Sequence, residues 1–276
     1  MKRLLAILAS LAAATGAFAQ RSGTYTFGGS TTVAPIAYAA IEQFRKENPG
    51  VNISYEGIGS GAGLKSLQEG KISLAGSSAD FSADQLKGAV ATPIALDGLA
   101  VIVNPKVAGL RNITLDKLAK IFHGDITNWK EAGGRDMPIV VVNRDESSGT
   151  YAAFWELVCQ KYFGKAASYT KKAIVTKENG EVAMKVLATP GAIGYVGMSF
   201  AEEVVKAGGI LLAVEGAQPT TANVVARKYP IARYLYLITP AAPVSGSVEK
   251  DFIDFVLSPR GQAIVKSADY IPLPRK

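Results

Sequence analysis

Apolar and polar positions along this chain follow two periods that take turns. Tyr25-Thr26-Phe27 alternates as a strand does and ends at Gly28-Gly29-Ser30-Thr31-Thr32. Apolar residues then recur at Val33, Ile36, Ala37, Ala40, Ile41 and Phe44, the spacing of one helix face. Ser and Thr at the start of that pattern and Pro35 in its first turn suit a helix N-terminus. Val51 to Glu56 predicts a second strand, followed by Gly57-Ile58-Gly59-Ser60-Gly61-Ala62-Gly63 and a helix through Leu64 and Leu67. Ile72 to Ala75 predicts a third, running into Gly76-Ser77-Ser78-Ala79-Asp80. Ile94 to Val103 is a long apolar extended run with Asp97-Gly98 inside it, closed by the turn signal Asn104-Pro105.

The second half repeats the alternation. Thr114 caps a short helix with Leu115, Leu118 and Phe122 on one face, and a polar loop from His123 closes on Trp129. The β-branched run Ile139 to Val142 leads into Arg144-Asp145-Glu146-Ser147-Ser148-Gly149-Thr150, and an amphipathic segment from Thr150 to Phe163 leads out. Asn179 to Ala188 and Ala201 to Lys206 read as helices; Ile193 to Val196 and Ile210 to Val214 read as strands. Tyr234 to Ile238 is another extended run, Val248 to Leu257 a helix, and Ser258-Pro259 opens a new turn. Strands alternating with helices predict an α/β fold with largely parallel sheets. Crossings near residues 100 and 236 make the first domain discontinuous and the second an insertion, with a ligand cleft between them.

Composition narrows this picture. Lys2-Arg3, the apolar stretch Leu4 to Ala14 and Ala17-Phe18-Ala19 have the form of a secretory signal peptide over residues 1–19, cut before Gln20. No later segment reaches membrane-spanning length. A hydrophobic content of 48% places the chain among globular proteins. Cys159 is the only cysteine, so no internal disulfide forms, and its place within the amphipathic segment reads as core. The net charge of +7 comes from scattered lysines and arginines with no basic stripe interleaved with aromatics, which gives nucleic-acid binding no support. One histidine and one cysteine leave nothing from which to build a metal centre, and no cofactor motif is present.

The chemistry lies in the loops. The segments at Ser30-Thr31-Thr32, Gly59 to Gly63, Ser77 to Asp80 and Arg144 to Thr150 each follow a strand and carry hydroxyls or bare backbone. Free N–H groups at helix starts, the positive end of the helix dipole and a nearby arginine together form an anion site. In open α/β sheets, ligands lie beyond the carboxyl ends of strands, where these loops sit. The glycine loop is neither a P-loop nor a dinucleotide fingerprint. A receptor for a tetrahedral oxyanion such as phosphate, sulfate or molybdate fits. An exported hydrolase or phosphatase using Ser60 or Ser148 fits poorly, because neither serine has a nucleophile elbow and the lone His123 is far from both in sequence.

Gly29-Ser30-Thr31-Thr32-Val33, Gly59-Ser60-Gly61-Ala62-Gly63 and Arg144-x-Glu146-x-Ser148-Gly149-Thr150 together resemble the phosphate-binding proteins of bacterial phosphate ABC importers (PstS-type). Ile121-Phe122-x-Gly124-x-Ile126-Thr127-Asn128-Trp129, Ala192 to Gly197, and the ending Leu257-Ser258-Pro259-x-Gly261-Gln262-x-Ile264-Val265 strengthen the likeness, in family order. It implies a two-domain type II periplasmic-binding fold of mixed, mostly parallel sheets flanked by helices with two hinge crossovers. Residues 20–104 with 236–276 form domain I, and 105–235 form domain II. It further implies a periplasmic, non-enzymatic monomer that captures inorganic phosphate in the cleft and delivers it to a membrane ABC permease. By the same likeness Thr31, Thr32 and Val33 take one side of the anion, Ser60 and Ser78 the next, and Arg144, Ser148, Gly149 and Thr150 the far side. Glu146 is a candidate to pair with Arg144. The family often carries Asp or Arg directly after the serine that matches Ser78; here that position is Ala79 and the carboxylate follows at Asp80. Asp80 is therefore the expected acceptor of the proton that hydrogen phosphate has and sulfate lacks.

Overall fold

The structure, a computed structural model, describes residues 22–274. The expected signal peptide falls outside them. Ten strands are found among the described residues: β1 (Gly23–Gly29), β2 (Val51–Gly57), β3 (Leu74–Ser77), β4 (Val90–Val103), β5 (Asn112–Ile113), β6 (Val140–Arg144), β7 (Ile174–Thr176), β8 (Ala192–Gly197), β9 (Ile210–Val214) and β10 (Ala232–Thr239). They run in the order β2-β1-β3-β10-β4-β8-β6-β7, with β9 bridging β4 and β5.

Each end of this path has its own packing. Phe27, Val33, Ile36, Phe44, Ile53, Leu74, Ile94, Leu235 and Phe252 bury one another in one lobe. Leu99, Val101, Phe122, Trp129, Phe154, Cys159, Tyr195 and Ile231 do so in the other. The helix Ala34–Glu47 lies across the first lobe on Ile36, Ala37, Ala40, Ile41 and Phe44, the stripe expected from the sequence. Along β4 the core changes between Ala95 and Leu99; along β10 it changes between Ile231 and Leu235. These two antiparallel strands are the crossings, and Asp97 and Arg233 face each other in their ladder. The ladder slips between Leu235 and Tyr236, where Tyr236 pairs with Pro93, a residue with no N–H to donate.

Among the described residues the sheet is mixed, with five of its nine strand pairings parallel. β1 pairs β2 and β3 in parallel, and β6 pairs β7 and β8 in parallel, while both crossing strands run antiparallel to their neighbours. A strand that leaves one lobe for the other and returns has to reverse direction, which no local pattern announces. Ser258-Pro259 opens a full helix, Pro259–Ser267, and not a turn alone. Ser258 Oγ accepts from the Gly261 amide at 3.1 Å, and proline stands where a helix has no N–H to lose.

The segment from Gly149 to Phe163 is helical throughout, with a π-helical stretch at Trp155–Cys159. Cys159 is fully buried there, and burial pushes its thiol up to about 12. The folded protein should react with a soluble disulfide reagent at about pH 8 at least about a hundredfold more slowly than the unfolded chain, because the thiolate is the nucleophile. Thiol titration with and without denaturant measures this, and comparable rates would contradict the buried placement.

Candidate anion-binding site

The loop after β1 is fastened from inside. Ser30 Oγ accepts from the amides of Thr32 (3.1 Å) and Val33 (3.3 Å) and donates to Ser78 Oγ at 2.9 Å. Tyr55 and Tyr270 donate their hydroxyls to the Ser30 and Thr32 carbonyls at 2.9 and 2.6 Å. Because Ser30 caps the turn, the Thr32 hydroxyl is left to point across the joint between the lobes. The next loop enters the helix Ser60–Gln68 through Gly59, whose φ of 91° belongs to glycine's range. Gly59 donates to Gly29 O at 2.8 Å, and Ser60 Oγ accepts from the Ser78 amide at 3.0 Å. Three loops of the first lobe are thereby tied into one corner.

The second lobe supplies the opposing wall. Arg144 ends β6, its amide held by Asn143 Oδ1 at 2.9 Å. Its guanidinium is buried; Nη2 donates to Thr31 Oγ1 at 3.2 Å and to Lys177 O, while Nε and Nη1 have no partner. Burial pulls its pKa down, and Tyr195 and then Asp145 push it back up. Ser148 Oγ caps the helix behind it, accepting from the Thr150 amide (3.2 Å) and the Tyr151 amide (3.3 Å), which keeps its own proton free to donate. Thr150 Oγ1 lies 3.1 Å from Thr32 Oγ1, and Gly61 N donates to Ser147 O at 2.9 Å. A Cβ on Gly149 would sit 2.7 Å from Ser78 Oγ and closer still to Ser60 Oγ, so only glycine lets this helix start approach the two serines.

Thr31, Thr32, Ser60, Ser78, Arg144, Ser148, Gly149 and Thr150 are thus brought to one joint. Val33 is next to it, but its amide is spent on Ser30 and its side chain lies in the first lobe's core. Asp80 makes no hydrogen bond to these residues. Ser77 Oγ bonds both the amide and the carbonyl of Ala79, at 3.1 and 2.9 Å, and this tight turn buries Ala79 and turns Asp80 outward. Asp80 is exposed on the lining of a cavity of about 760 Å³, with Phe81, Tyr151 and Trp155, and its charge acts on the Tyr236 hydroxyl. Glu146 is likewise exposed; its charge falls on Tyr151, and the carboxylates that act on Arg144 are Asp145 and Glu178.

Sequence reasoning missed three members. Asn179, the first residue of its helix, donates from Nδ2 to Thr32 Oγ1 at 3.1 Å. Arg233 reaches Ser78 O (2.9 Å), Thr150 Oγ1 (3.1 Å) and Thr32 Oγ1 (3.4 Å). Asp97 holds Arg233 through Oδ2, at 2.9 Å from Nη2 and 3.2 Å from Nε. The available signal was a single charge inside each of the two apolar crossing strands.

Two lobes joined by paired strands, with hydroxyls, helix starts and buried guanidiniums meeting between them, have the architecture of an anion receptor. A family model described as a PBP superfamily domain matches residues 14–260. The phosphate-binding protein PstS of Borreliella burgdorferi is 37% identical over 249 residues, covering 89% of this chain and 88% of its own length. PstS of Bacillus subtilis is 37% identical over 260 residues, covering 91% and 81%. A Clostridium perfringens crystal structure, described as a phosphate ABC transporter substrate-binding protein with bound phosphate, superposes with a TM-score of 0.82 at 34% identity, covering 91% of this chain and all of that one. The chain belongs to the PBP superfamily and, within it, to the PstS-type family of phosphate-binding proteins.

Gly149→Ala should weaken phosphate binding by about ten- to a hundredfold with an unchanged circular dichroism spectrum, since overpacking of a tight joint costs about 1–3 kcal/mol. Calorimetric titration checks it. Asp80→Asn should leave the phosphate and sulfate affinities each within about twofold of the parent, as for other surface substitutions.

Proposed function

We propose that this chain is an exported solute-binding protein that captures inorganic phosphate between its lobes and delivers it to the permease of an ABC importer. The observation that carries the reading is Arg144. Arg144 is 2% exposed, and two of its guanidinium nitrogens are buried without a partner. Leaving buried donors of a charged group unsatisfied is costly. A tetrahedral anion beside Ser148, Gly149 and Thr150 supplies charge-assisted bonds to such a guanidinium, and the helix start adds oriented N–H groups. Nothing in this set activates a nucleophile, so the arrangement suits capture and release rather than turnover.

In this reading the domains meet at residues 96–98 and 232–234, where the two cores change over. The bound anion draws Thr32, Ser60 and Ser78 of one domain against Arg144, Ser148 and Thr150 of the other. The closed form is the one the permease recognises. The N-terminal segment serves for export to the periplasm, and the relatives' printed name, phosphate-binding protein, supports the choice of ligand.

Purified protein stripped of ligand should bind phosphate at one site with micromolar or tighter affinity and contract in small-angle scattering when it does. Arg144→Met should lose about 2–5 kcal/mol of that binding, as truncation of a buried charge partner does. Absence of any phosphate binding by the parent at millimolar concentration would contradict the proposal.

A further inference from the structure

Arg233 and Asp97 lie directly opposite each other on the two strands that join the lobes. Their side chains are 6% and 1% exposed. An ordinary hinge pair would be spent on holding the strands together, but this guanidinium extends past its carboxylate. Nη2 touches Thr32 of one lobe and Thr150 of the other, and Nη1 is fastened to the carbonyl of Ser78. All three residues belong to the anion ring.

Asp97 is the only buried acid among the described residues. Both of its oxygens are occupied: Oδ2 takes two Arg233 nitrogens, and Oδ1 takes the Met198 amide at 3.2 Å, with the Gly98 amide also directed at the carboxylate. Tyr195, Tyr229 and Tyr270 surround the pair, and burial holds each phenol above its ordinary range, so they stay neutral. Asp145 and Glu178 act on Arg144 from the rim of a separate cavity of about 360 Å³. Asp145 is itself engaged by the amide and hydroxyl of Ser147.

We infer that Arg233 is a second cationic arm of the anion site, positioned by Asp97, and that the site lacks a carboxylate free to accept a ligand proton. The ring therefore selects the doubly charged tetrahedral anion by charge and discriminates poorly between hydrogen phosphate and sulfate. A free carboxylate would repel sulfate, which has no proton to offer it. Here the remaining acceptors are neutral hydroxyl oxygens, which carry no such penalty. This inference rests on the phosphate-receptor reading and deepens it.

The test titrates the ligand-stripped full chain with sodium phosphate and with sodium sulfate at about pH 6 and about pH 8, on either side of the second ionisation of phosphate. Phosphate should bind at least several-fold more tightly at the higher pH. Sulfate should bind at both, nearly independently of pH and within about a hundredfold of phosphate. Asp97→Asn and Arg233→Lys should each weaken both anions about equally, by about tenfold or more. Phosphate affinity unaffected by pH, with sulfate failing to compete at millimolar concentration, overturns the inference and leaves the phosphate-receptor reading standing. So does a folded variant that binds both anions as the parent does, or an Asp97→Asn protein in which sulfate gains on phosphate. If a variant fails to fold, the parent's pH and sulfate behaviour decides. Binding of neither anion by the parent overturns the phosphate-receptor reading itself, and this one with it.

Discussion

Positive charge buried where two lobes meet is the constraint on which the rest of this structure depends. Arg144 and Arg233 are both within the protein, and among the described residues only one buried carboxylate, Asp97, accompanies them. A buried guanidinium is tolerated when its donors are satisfied and opposed by negative charge. Arg233 meets that condition through Asp97, and Arg144 meets it only in part. The helix starts at Ser60 and Ser148 point their amides toward the same joint, so the surroundings add positive potential. An anion is the ligand that relieves this arrangement.

The scaffold makes such a site adjustable. Each lobe buries its own apolar cluster, so neither needs the other for its core. The polar contacts between them include Thr32 with Thr150, Asn179 with Thr32, Gly61 with Ser147, and Arg144 with Thr31. β4 and β10 provide the continuous connection, and their paired Asp97 and Arg233 sit where the strands pass from one core to the other. Charge and hinge therefore share one location. A group at that point touches both walls of the joint, whereas a group on a lobe touches only its own.

Much of this was legible from the chain. Helix faces such as Ile36, Ala37, Ala40, Ile41 and Phe44 are dictated by period, and Val248–Leu257 follows the same rule. The loop Arg144 to Thr150 declares an anion corner because its residue types have few other uses together at a helix start. Single-residue aim was less legible. Asp80 stands one position from where a carboxylate would serve, and the Ser77–Ala79 turn sends it out to solvent. Glu146 is two residues from Arg144 and faces elsewhere, because a loop's carboxylates are directed by its backbone bonds and not by their sequence distance from a cation.

By itself the sequence determined the elements, their alternation and the types of donor placed at each strand end, because period, capping and turn chemistry are local. Tertiary structure alone decided which of those donors converge. Arg233 lies more than a hundred residues from Asp97 in sequence, and each appears as an isolated charge in an apolar strand. Only the antiparallel register of the two crossings makes them partners and brings their guanidinium between Thr32 and Thr150. Strand register is a long-range property, set by the packing of both cores at once, and no window along the chain contains it.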